Sequence, residues 1–188
     1  MVRRCIVTVL LVYFSGAPLR AWGTQGHQLI GLVAARYLGP VAQRNVVWLL
    51  EGRTLADVGM WADQYRTENA YTDPWHYVDI PAEATSYVRD RDCARQRGVQ
   101  PGSRADKWRD CIVDRILYNR EQLASTALDR ADRAIALKFL VHLVADLHQP
   151  MHAIDVARGG NDIPVVFFGS PTCTRTDRTT YACNLHGA

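Results

Sequence analysis

Residues 139–152 read Phe139-Leu-Val-His142-Leu-Val-Ala-Asp146-Leu-His148-Gln-Pro150-Met-His152, with three histidines and one aspartate among mainly apolar residues. His142 and Asp146 are four positions apart and therefore share one face of a helix. Pro150 ends that helix, so His152 can turn back toward the same face. Imidazole nitrogen with carboxylate oxygen suits zinc, so we predict a metal site here in preference to hydrogen-bonded core histidines. His148, on roughly the opposite face, is predicted to support the site or lie in the core.

The spacing of apolar residues predicts a mainly α fold. The helix over residues 131–147 is apolar on most of its surface, which is typical of a central helix. Residues 71–81 contain two prolines and are predicted to be extended. Residues 165–168 are predicted to form a short strand, followed by an irregular, threonine-rich tail. Further helices are predicted over residues 24–38, 41–50 and 56–66, and through Ile112, Ile116 and Leu123.

Length and composition favour one globular domain behind a secretory signal. The chain has 188 residues and 48% hydrophobic content, which is enough for a hydrophobic core. Arg3 and Arg4 precede an apolar run over residues 5–14, the pattern of a signal peptide, and this run is too short to span a bilayer. Small residues at positions 15–17 and 21 are the candidate cleavage points.

The net charge gives no general attraction for nucleic acid. Residues 1–21 contain three arginines and no acid, so their removal takes the formal net charge from +3 to zero. A neutral protein has no strong overall field for a polyanion. Any affinity for phosphate therefore has to come from a local site.

The cysteines also indicate an exported protein. Cys5 leaves with the signal segment, and the remaining four form an even set. We predict the local disulfides Cys93–Cys111 and Cys173–Cys183, with residues 94–102 as a loop closed by the first. Zinc-bound thiolates are the alternative, but none of these spacings is the close pair of a structural zinc site.

Residue types that bind metals recur outside the central helix. Cleavage after Ala21 would make Trp22 the first residue, and a free amine with its own carbonyl oxygen can chelate a metal. His27 follows one helical turn later. A carboxylate follows at Asp63 and another histidine at His76. Each residue alone has an ordinary explanation as a hydrogen-bonded, ion-paired or packed side chain.

In combination, these residues stand in the order and rough spacing of one family. From Trp22 to its last residues the chain resembles the secreted zinc-dependent nucleases specific for single strands, the mung-bean-type nuclease and 3′-nucleotidase family, which share a mainly helical fold with bacterial phospholipase C. The resemblance implies a signal peptide over residues 1–21 and one helical domain over residues 22–188, with a short extended or β segment near the active site. The residues that carry it are Trp22, His27, Asp63, His76, His142, Asp146, His152 and Asn184-Leu-His186.

The resemblance implies up to three zinc ions and a ligand set for each. Asp146 would bridge the first two ions through its two oxygens. The implied sets are Trp22, His27 and Asp146 for one zinc; Asp63, His76, His142 and Asp146 for the second; and His152, His186 and an aspartate four residues later for the third.

That last aspartate would fall at position 190, and the sequence has 188 residues. The family is also longer than this chain. We therefore expect a C-terminally truncated member, either a fragment or a naturally shortened form, in which the third zinc site is incomplete. If a third zinc is nevertheless held tightly, Asp155 or Asp162 is expected to complete its site.

The resemblance also implies catalytic and substrate-binding residues. Asp63 matches the residue that orients and helps deprotonate the attacking water. Arg66 matches a cation set against the phosphate, with a solvated helix charge as its alternative. Tyr77 and Asp79 lie on one side of an extended segment and match a base pocket, in which the aromatic ring stacks and the carboxylate binds a base edge. Asn161 matches another polar group of that pocket.

The expected protein is thus a secreted or periplasmic, zinc-dependent endonuclease that acts on single-stranded DNA and RNA and on 3′-nucleotides. It is expected to be a monomer without a membrane anchor. The alternatives are a phospholipase C-type hydrolase, which needs a lipid-facing surface in place of Tyr77 and Asp79, and a truncated, catalytically weak zinc-binding domain.

Overall fold

The computed structural model describes residues 23–174 and 178–187, apart from the side chain of Ala105. The expected signal segment and Trp22 lie outside these residues. The α-helices are α1 Thr24–Tyr37, α2 Pro40–Leu49, α3 Leu55–Val58, α4 Trp61–Glu68, α5 Arg89–Asp92, α6 Ile112–Ala124 and α7 Arg130–Leu147. Three 3₁₀ helices span Ala70–His76, Arg104–Lys107 and Pro150–His152, and two strands, β1 and β2, span Thr172–Thr174 and Thr180–Ala182.

The predicted mainly α fold is confirmed, and the central position of α7 with it. Helix α7 packs against α6 along much of its length and also contacts α1, α2, α3 and α4. One core cluster includes Phe139 and Leu143 of α7, and a second includes Leu137. Because α7 is apolar on several sides, it can bury surface against several helices at once. Its polar residues His142 and Asp146 are thereby enclosed in the protein.

The region predicted as one helix over residues 56–66 is two short helices. Thr54 accepts a hydrogen bond from the Asp57 backbone N–H, and Asp57 accepts one from Thr54 in return, so a capping box starts α3. Gly59 and Met60 lie between the end of α3 and the start of α4. Helix α3 lies very close to α1, since a Cβ built on Gly31 would stand 2.7 Å from the Ala56 backbone nitrogen.

Two local predictions were wrong. The first part of the segment predicted to be extended is a 3₁₀ helix over Ala70–His76, in which Pro74 is accommodated; only the following residues, from Tyr77, are extended. Such short turns tolerate proline because few of their N–H groups have partners to lose. Residues 165–168 form no strand, and of these residues only Phe167 makes an isolated bridge, whereas the tail predicted to be irregular contains β1 and β2, paired antiparallel.

Both predicted disulfides are present. Cys93–Cys111 closes the loop before α6, with Cα atoms 5.2 Å apart. Cys173–Cys183 joins β1 to the residue that follows β2, with Cα atoms 5.0 Å apart. Over the residues described, no helix is long and apolar enough to cross a membrane.

Candidate metal centre and substrate cleft

Asp146 stands at the centre of a buried cluster of imidazoles. Its Oδ2 lies 2.9 Å from His76 Nδ1 and 3.0 Å from His142 Nε2. Its Oδ1 lies 3.3 Å from His27 Nε2 and 3.6 Å from His152 Nδ1. The two carboxylate oxygens therefore face two different pairs of histidines. Asp146 and three of these imidazoles, His27, His76 and His142, are at most 2% exposed.

Four different elements bring together the cluster of His27, Asp63, His76, His142 and Asp146, and His152 of the last 3₁₀ helix borders it. His27 comes from α1, His76 from the end of the first 3₁₀ helix, and His142 and Asp146 from one face of α7. Asp63 of α4 completes it, with Oδ1 3.6 Å from His142 Nε2 and 3.8 Å from His76 Nδ1. Two sets of ligand atoms, one from His27, Asp63 and His142 and one from His76, His142 and Asp146, each lie within 4.8 Å of one another.

Backbone carbonyls fix the orientation of three histidine rings. His142 Nδ1 donates to the Gly59 carbonyl at 2.7 Å, and His152 Nδ1 donates to the His76 carbonyl at 2.8 Å. His186 Nδ1 donates to the Gly159 carbonyl at 2.8 Å. In each neutral ring, Nε2 is then the nitrogen with a free lone pair. Metal-binding histidines in proteins characteristically hold the other ring nitrogen in this way.

The electrostatics of the cluster call for a cation. Burial raises the pKa of Asp146, but hydrogen bonds from His142, His27 and His76 outweigh burial and hold that pKa far below its usual range. Burial lowers the pKa of His142, but the hydrogen bond and charge of Asp146 outweigh it, so that pKa is raised. Asp146 is thus a buried anion that stabilises positive charge beside it.

The residues fit a bound metal ion. The buried ring nitrogens His27 Nδ1 and His76 Nε2 have no hydrogen-bond partner in the described part of the chain. His142 Nε2 and His76 Nδ1 approach each other to 3.1 Å. Ligand atoms about 2.0–2.2 Å from a tetrahedral zinc ion lie about 3.3–3.6 Å from one another, which is close to the separations in this cluster. Imidazole and carboxylate are also the donors that zinc takes in water-activating sites.

His152 and His186 form a separate pair beside this cluster. Their rings stack with centroids 4.8 Å apart. Gln149, whose role no sequence pattern indicated, connects the two segments: its side-chain oxygen accepts from the Met151 N–H, and its amide donates to the His186 carbonyl at 3.2 Å. Gln149 is 4% exposed. Neither His152 nor His186 belongs to the two sets of ligand atoms described above.

A loop with left-handed backbone supports His186. Ala157, Arg158, Gly159 and Gly160 all have φ between 48° and 79°. Only glycine adopts such φ values without strain, so the backbone of Ala157 and Arg158 is strained here. The loop brings the Gly159 carbonyl to His186, so its backbone geometry serves the orientation of that ring.

A cavity of about 450 Å³ opens beside the cluster. Val78 N–H donates to the His152 carbonyl at 2.8 Å, which holds residues 77–79 at the cavity wall. Tyr77 and Asp79 are exposed while Val78 is buried, as expected of an extended segment with one side turned to the cavity. Burial raises the pKa values of Tyr77 and Asp79, and nearby carboxylates add to both shifts.

Two other predicted residues, Arg66 and Asn161, line this cavity. Arg66 lines it and pairs with Asp63 at 3.1 Å and with Asp73 at 3.6 Å. Asn161 lines it too, with its amide donating to the Arg158 carbonyl at 2.8 Å. The prediction for His148 was wrong: it is exposed, and its Nδ1 donates to the Val144 carbonyl at 2.6 Å, because the helix end leaves that carbonyl without a backbone partner.

Comparison with known proteins identifies the family. The family model described as S1/P1 nuclease matches residues 22–186, so this chain belongs to the S1/P1 nuclease family. It is 30% identical to nuclease P1 of Penicillium citrinum over 168 residues, covering 85% of this chain and 57% of that protein. It is 31% identical to endonuclease 2 of Arabidopsis thaliana over 173 residues, covering 87% and 56%. It is 28% identical to nuclease S1 of Aspergillus oryzae over 159 residues, covering 80% and 50%. The chain spans about half the length of the relatives it matches.

Proposed function

We propose that this protein is a zinc-dependent nuclease that hydrolyses phosphodiester bonds of single-stranded DNA and RNA and also dephosphorylates 3′-nucleotides. The observation that carries the proposal is the convergence of His27, His76 and His142 on the two oxygens of the buried carboxylate Asp146. The names of the relatives, nucleases and endonucleases, agree with it.

The proposed ligand sets follow the division of the Asp146 oxygens. Trp22, His27 and Asp146 would hold one zinc, and Asp63, His76, His142 and Asp146 would hold the second. The mature domain then covers residues 22–188, and a signal peptide over residues 1–21 directs secretion or export to the periplasm. Two disulfides are consistent with an oxidising compartment.

Each proposed catalytic group acts on a defined part of the substrate. Zinc, when bound, makes water acidic enough to attack a phosphodiester near neutral pH. Asp63 orients the attacking water and accepts its proton. Arg66, which stands 3.1 Å from Asp63 at the cavity wall, stabilises negative charge on the phosphate.

The proposed substrate preference follows from the cleft. Tyr77 stacks on an unpaired base, Asp79 accepts a hydrogen bond from an N–H on the base edge, and Asn161 contributes another polar contact. A base inside a duplex is already stacked and paired, so it does not enter such a pocket without melting. Single strands are therefore cut in preference to duplexes. We propose that the protein acts as a monomer.

We propose a weaker third zinc, held by His152 and His186. Three protein ligands are usual for zinc sites that also hold water, and in the part of the chain that the structure describes this pair supplies two. If Asp155 or Asp162 supplies the third, the ion is held tightly. Asp162 already pairs with Arg158 at 2.5 Å, which makes Asp155 the better candidate of the two.

The test is metal analysis joined to activity on four substrates. Purified mature protein is expected to contain about two tightly bound zinc ions, to cut single-stranded DNA and to release phosphate from a 3′-nucleotide. Duplex DNA is expected to be cut far more slowly and phosphatidylcholine not at all. Preferential hydrolysis of phosphatidylcholine would identify a phospholipase C instead, and bound zinc without any hydrolysis would leave only a metal-binding domain.

A further inference from the structure

A second cavity, of about 240 Å³, adjoins the first and has no histidine among the described residues that line it. Tyr77, Val78 and Asp79 line both cavities. The second cavity is lined further by Arg95 and Arg97 from the loop that the Cys93–Cys111 disulfide closes. A ligand extending past Tyr77 away from the histidine cluster would therefore enter this second cavity.

The disulfide loop is attached directly to the Tyr77 segment. The backbone N–H of Ile112, which follows Cys111, donates to the Tyr77 carbonyl at 2.9 Å. Asp110 and Ala94 form a backbone bridge that closes the base of the loop. Cys93 and Cys111 are both 2% exposed and belong to the core cluster that contains Val78. The arginines of the loop are thus held in place beside the proposed base pocket.

Two charged residues that line this cavity, Asp79 and Arg97, make no salt bridge with the described residues, and Arg97 is the cation of the two. Asp110 is compensated by Arg115 at 2.6 Å and by the Trp75 indole N–H at 2.9 Å, and Asp92 is compensated by Arg91. Arg95 pairs with Asp106 at 3.1 Å. Arg97, by contrast, makes no salt bridge or side-chain hydrogen bond with the residues that the structure describes.

We propose that the second cavity binds the phosphodiester next to the nucleotide held at Tyr77, with Arg97 as its main contact. This inference rests on the proposed function and adds a second subsite to it. Guanidinium groups bind phosphate oxygens through charge-assisted hydrogen bonds. A longer strand gains this contact, whereas a 3′-mononucleotide ends before it reaches the cavity. The loop therefore favours polymeric over monomeric substrates.

The test compares Arg97→Gln with Arg104→Gln. Arg104 belongs to the same disulfide loop, is exposed, makes no salt bridge with described residues and does not line either cavity. Binding of a short oligothymidylate is measured in chelator, where no cleavage occurs, over a series of salt concentrations. Each phosphate contact to a single strand contributes about 0.7 to the slope of log K against log salt concentration. Arg97→Gln is expected to lower the slope by about this amount, while Arg104→Gln and the charge-preserving Arg97→Lys keep it.

Kinetics with zinc present give the second measurement. Arg97→Gln is expected to raise KM several-fold for the oligonucleotide and to leave 3′-nucleotide dephosphorylation unchanged. Equal effects of Arg97→Gln and Arg104→Gln on the salt slope would overturn the subsite, and so would an equal loss on both substrates. A failure of the proposed function can be told apart from a failure of the subsite. In that case the zinc-loaded wild-type protein would hydrolyse neither substrate, and the binding measurement in chelator would still test the subsite.

Discussion

Asp146 carries its charge at a position almost sealed from water, and its two oxygens face different imidazoles. A buried carboxylate is costly unless positive charge and hydrogen bonds compensate for it. Here the compensating groups are neutral or weakly basic rings, which become fully effective only when a proton or a metal ion lies between ring and carboxylate. The chemistry proposed for this protein therefore depends on this one side chain.

Asp146→Asn is expected to remove both paired zinc ions together. An amide is a much poorer anionic ligand than a carboxylate, and one residue is proposed to bridge the two ions. Zinc content measured on the purified variant should fall from about two ions to nearly none. Asp132→Asn, which changes an exposed aspartate on the same helix, should keep the zinc content of the wild type. Normal zinc content in Asp146→Asn would rule out the bridging role.

Gln149→Met tests whether this buried amide positions His152 and His186. The change removes the acceptor for the Met151 N–H and the donor to the His186 carbonyl. An unsatisfied buried group costs about 1–3 kcal/mol, so urea denaturation should show a loss of that size. Gln43→Met, at an exposed position on α2, should be nearly neutral. If the two variants were equally stable, Gln149 would have no structural role in this pair.

Asp79 and Asp162 are expected to affect stability with opposite signs. Burial and the charge of Asp155 raise the pKa of Asp79, so its ionised form disfavours folding above the unfolded pKa of about 3.8. Asp79→Asn should therefore raise Tm at neutral pH, and the gain should shrink as the pH falls toward that value. The hydrogen bond and charge of Arg158 lower the pKa of Asp162, so its contribution is present at neutral pH and is lost in acid.

Asp162→Asn should accordingly lower Tm at neutral pH, with the loss disappearing as the pH falls through the lowered folded pKa. Both variants are compared with the wild type by thermal melting in chelator between pH 3 and 7. Shifts of the same sign for both variants at neutral pH would contradict this assignment.

At the scale of elements, the left-handed loop over residues 157–160 is the least expected part of the site. Its conformation serves a long-range contact, because the Gly159 carbonyl accepts from His186. A Cβ on Gly159 would stand 2.4 Å from the Met151 carbonyl oxygen and 3.5 Å from His186 Nδ1. Residue 159 therefore has two reasons to be glycine, its positive φ and its close neighbours.

Gly159→Ala and Gly169→Ala separate these two reasons. Gly169 has φ of 80° but no atom within 4 Å of its Cβ position. Gly169→Ala should lower the free energy of unfolding by about 1–2 kcal/mol, which is the cost of placing alanine in the left-handed conformation. Gly159→Ala should cost about 1–3 kcal/mol more through the steric clash, and it should weaken zinc binding at His186. Urea denaturation and zinc titration measure both effects, and equal losses of stability would show that the contact is unimportant.

The sequence predicted elements where periodicity is local and missed features that depend on distant contacts. The spacing of apolar residues was enough to predict α6 and α7. The assumption that neighbouring cysteines pair was enough to predict both disulfides. The break at Gly59 was missed although glycine is a weak helix former, because the apolar pattern continues across it. The role of Gln149 depends on His186, 37 positions away, which periodicity does not reveal. The strands β1 and β2 likewise escaped notice because each has only three residues, which is too short to show an alternating pattern even though threonine favours strands.

For the molecule as a whole, the proposed metal centre connects elements that are far apart in sequence. His76 of the first 3₁₀ helix brings its ligand atom within 4.8 Å of those of His142 and Asp146 of α7, and Asp63 of α4 lies 3.6 Å from His142 Nε2. A metal ion bound there contacts three helices at once and binds only the folded chain. Metal binding and folding are therefore thermodynamically linked.

Removal of the metal is accordingly expected to destabilise the whole protein. Each zinc ion held at 100 times its Kd contributes about 2.7 kcal/mol to the free energy of unfolding, so two such ions contribute about 5.4 kcal/mol. For a chain of this size that corresponds to a fall in Tm of about 11–22 °C when a strong chelator removes both ions, measured by calorimetry. Readdition of zinc should restore Tm, whereas magnesium should not, because imidazole-rich sites bind magnesium poorly. Asp146→Asn provides the control, since a protein that holds no zinc should melt at the same temperature with and without chelator. An unchanged Tm in the chelated wild type, with zinc shown to be gone, would mean that the helices hold together without the metal and that the cluster serves catalysis alone.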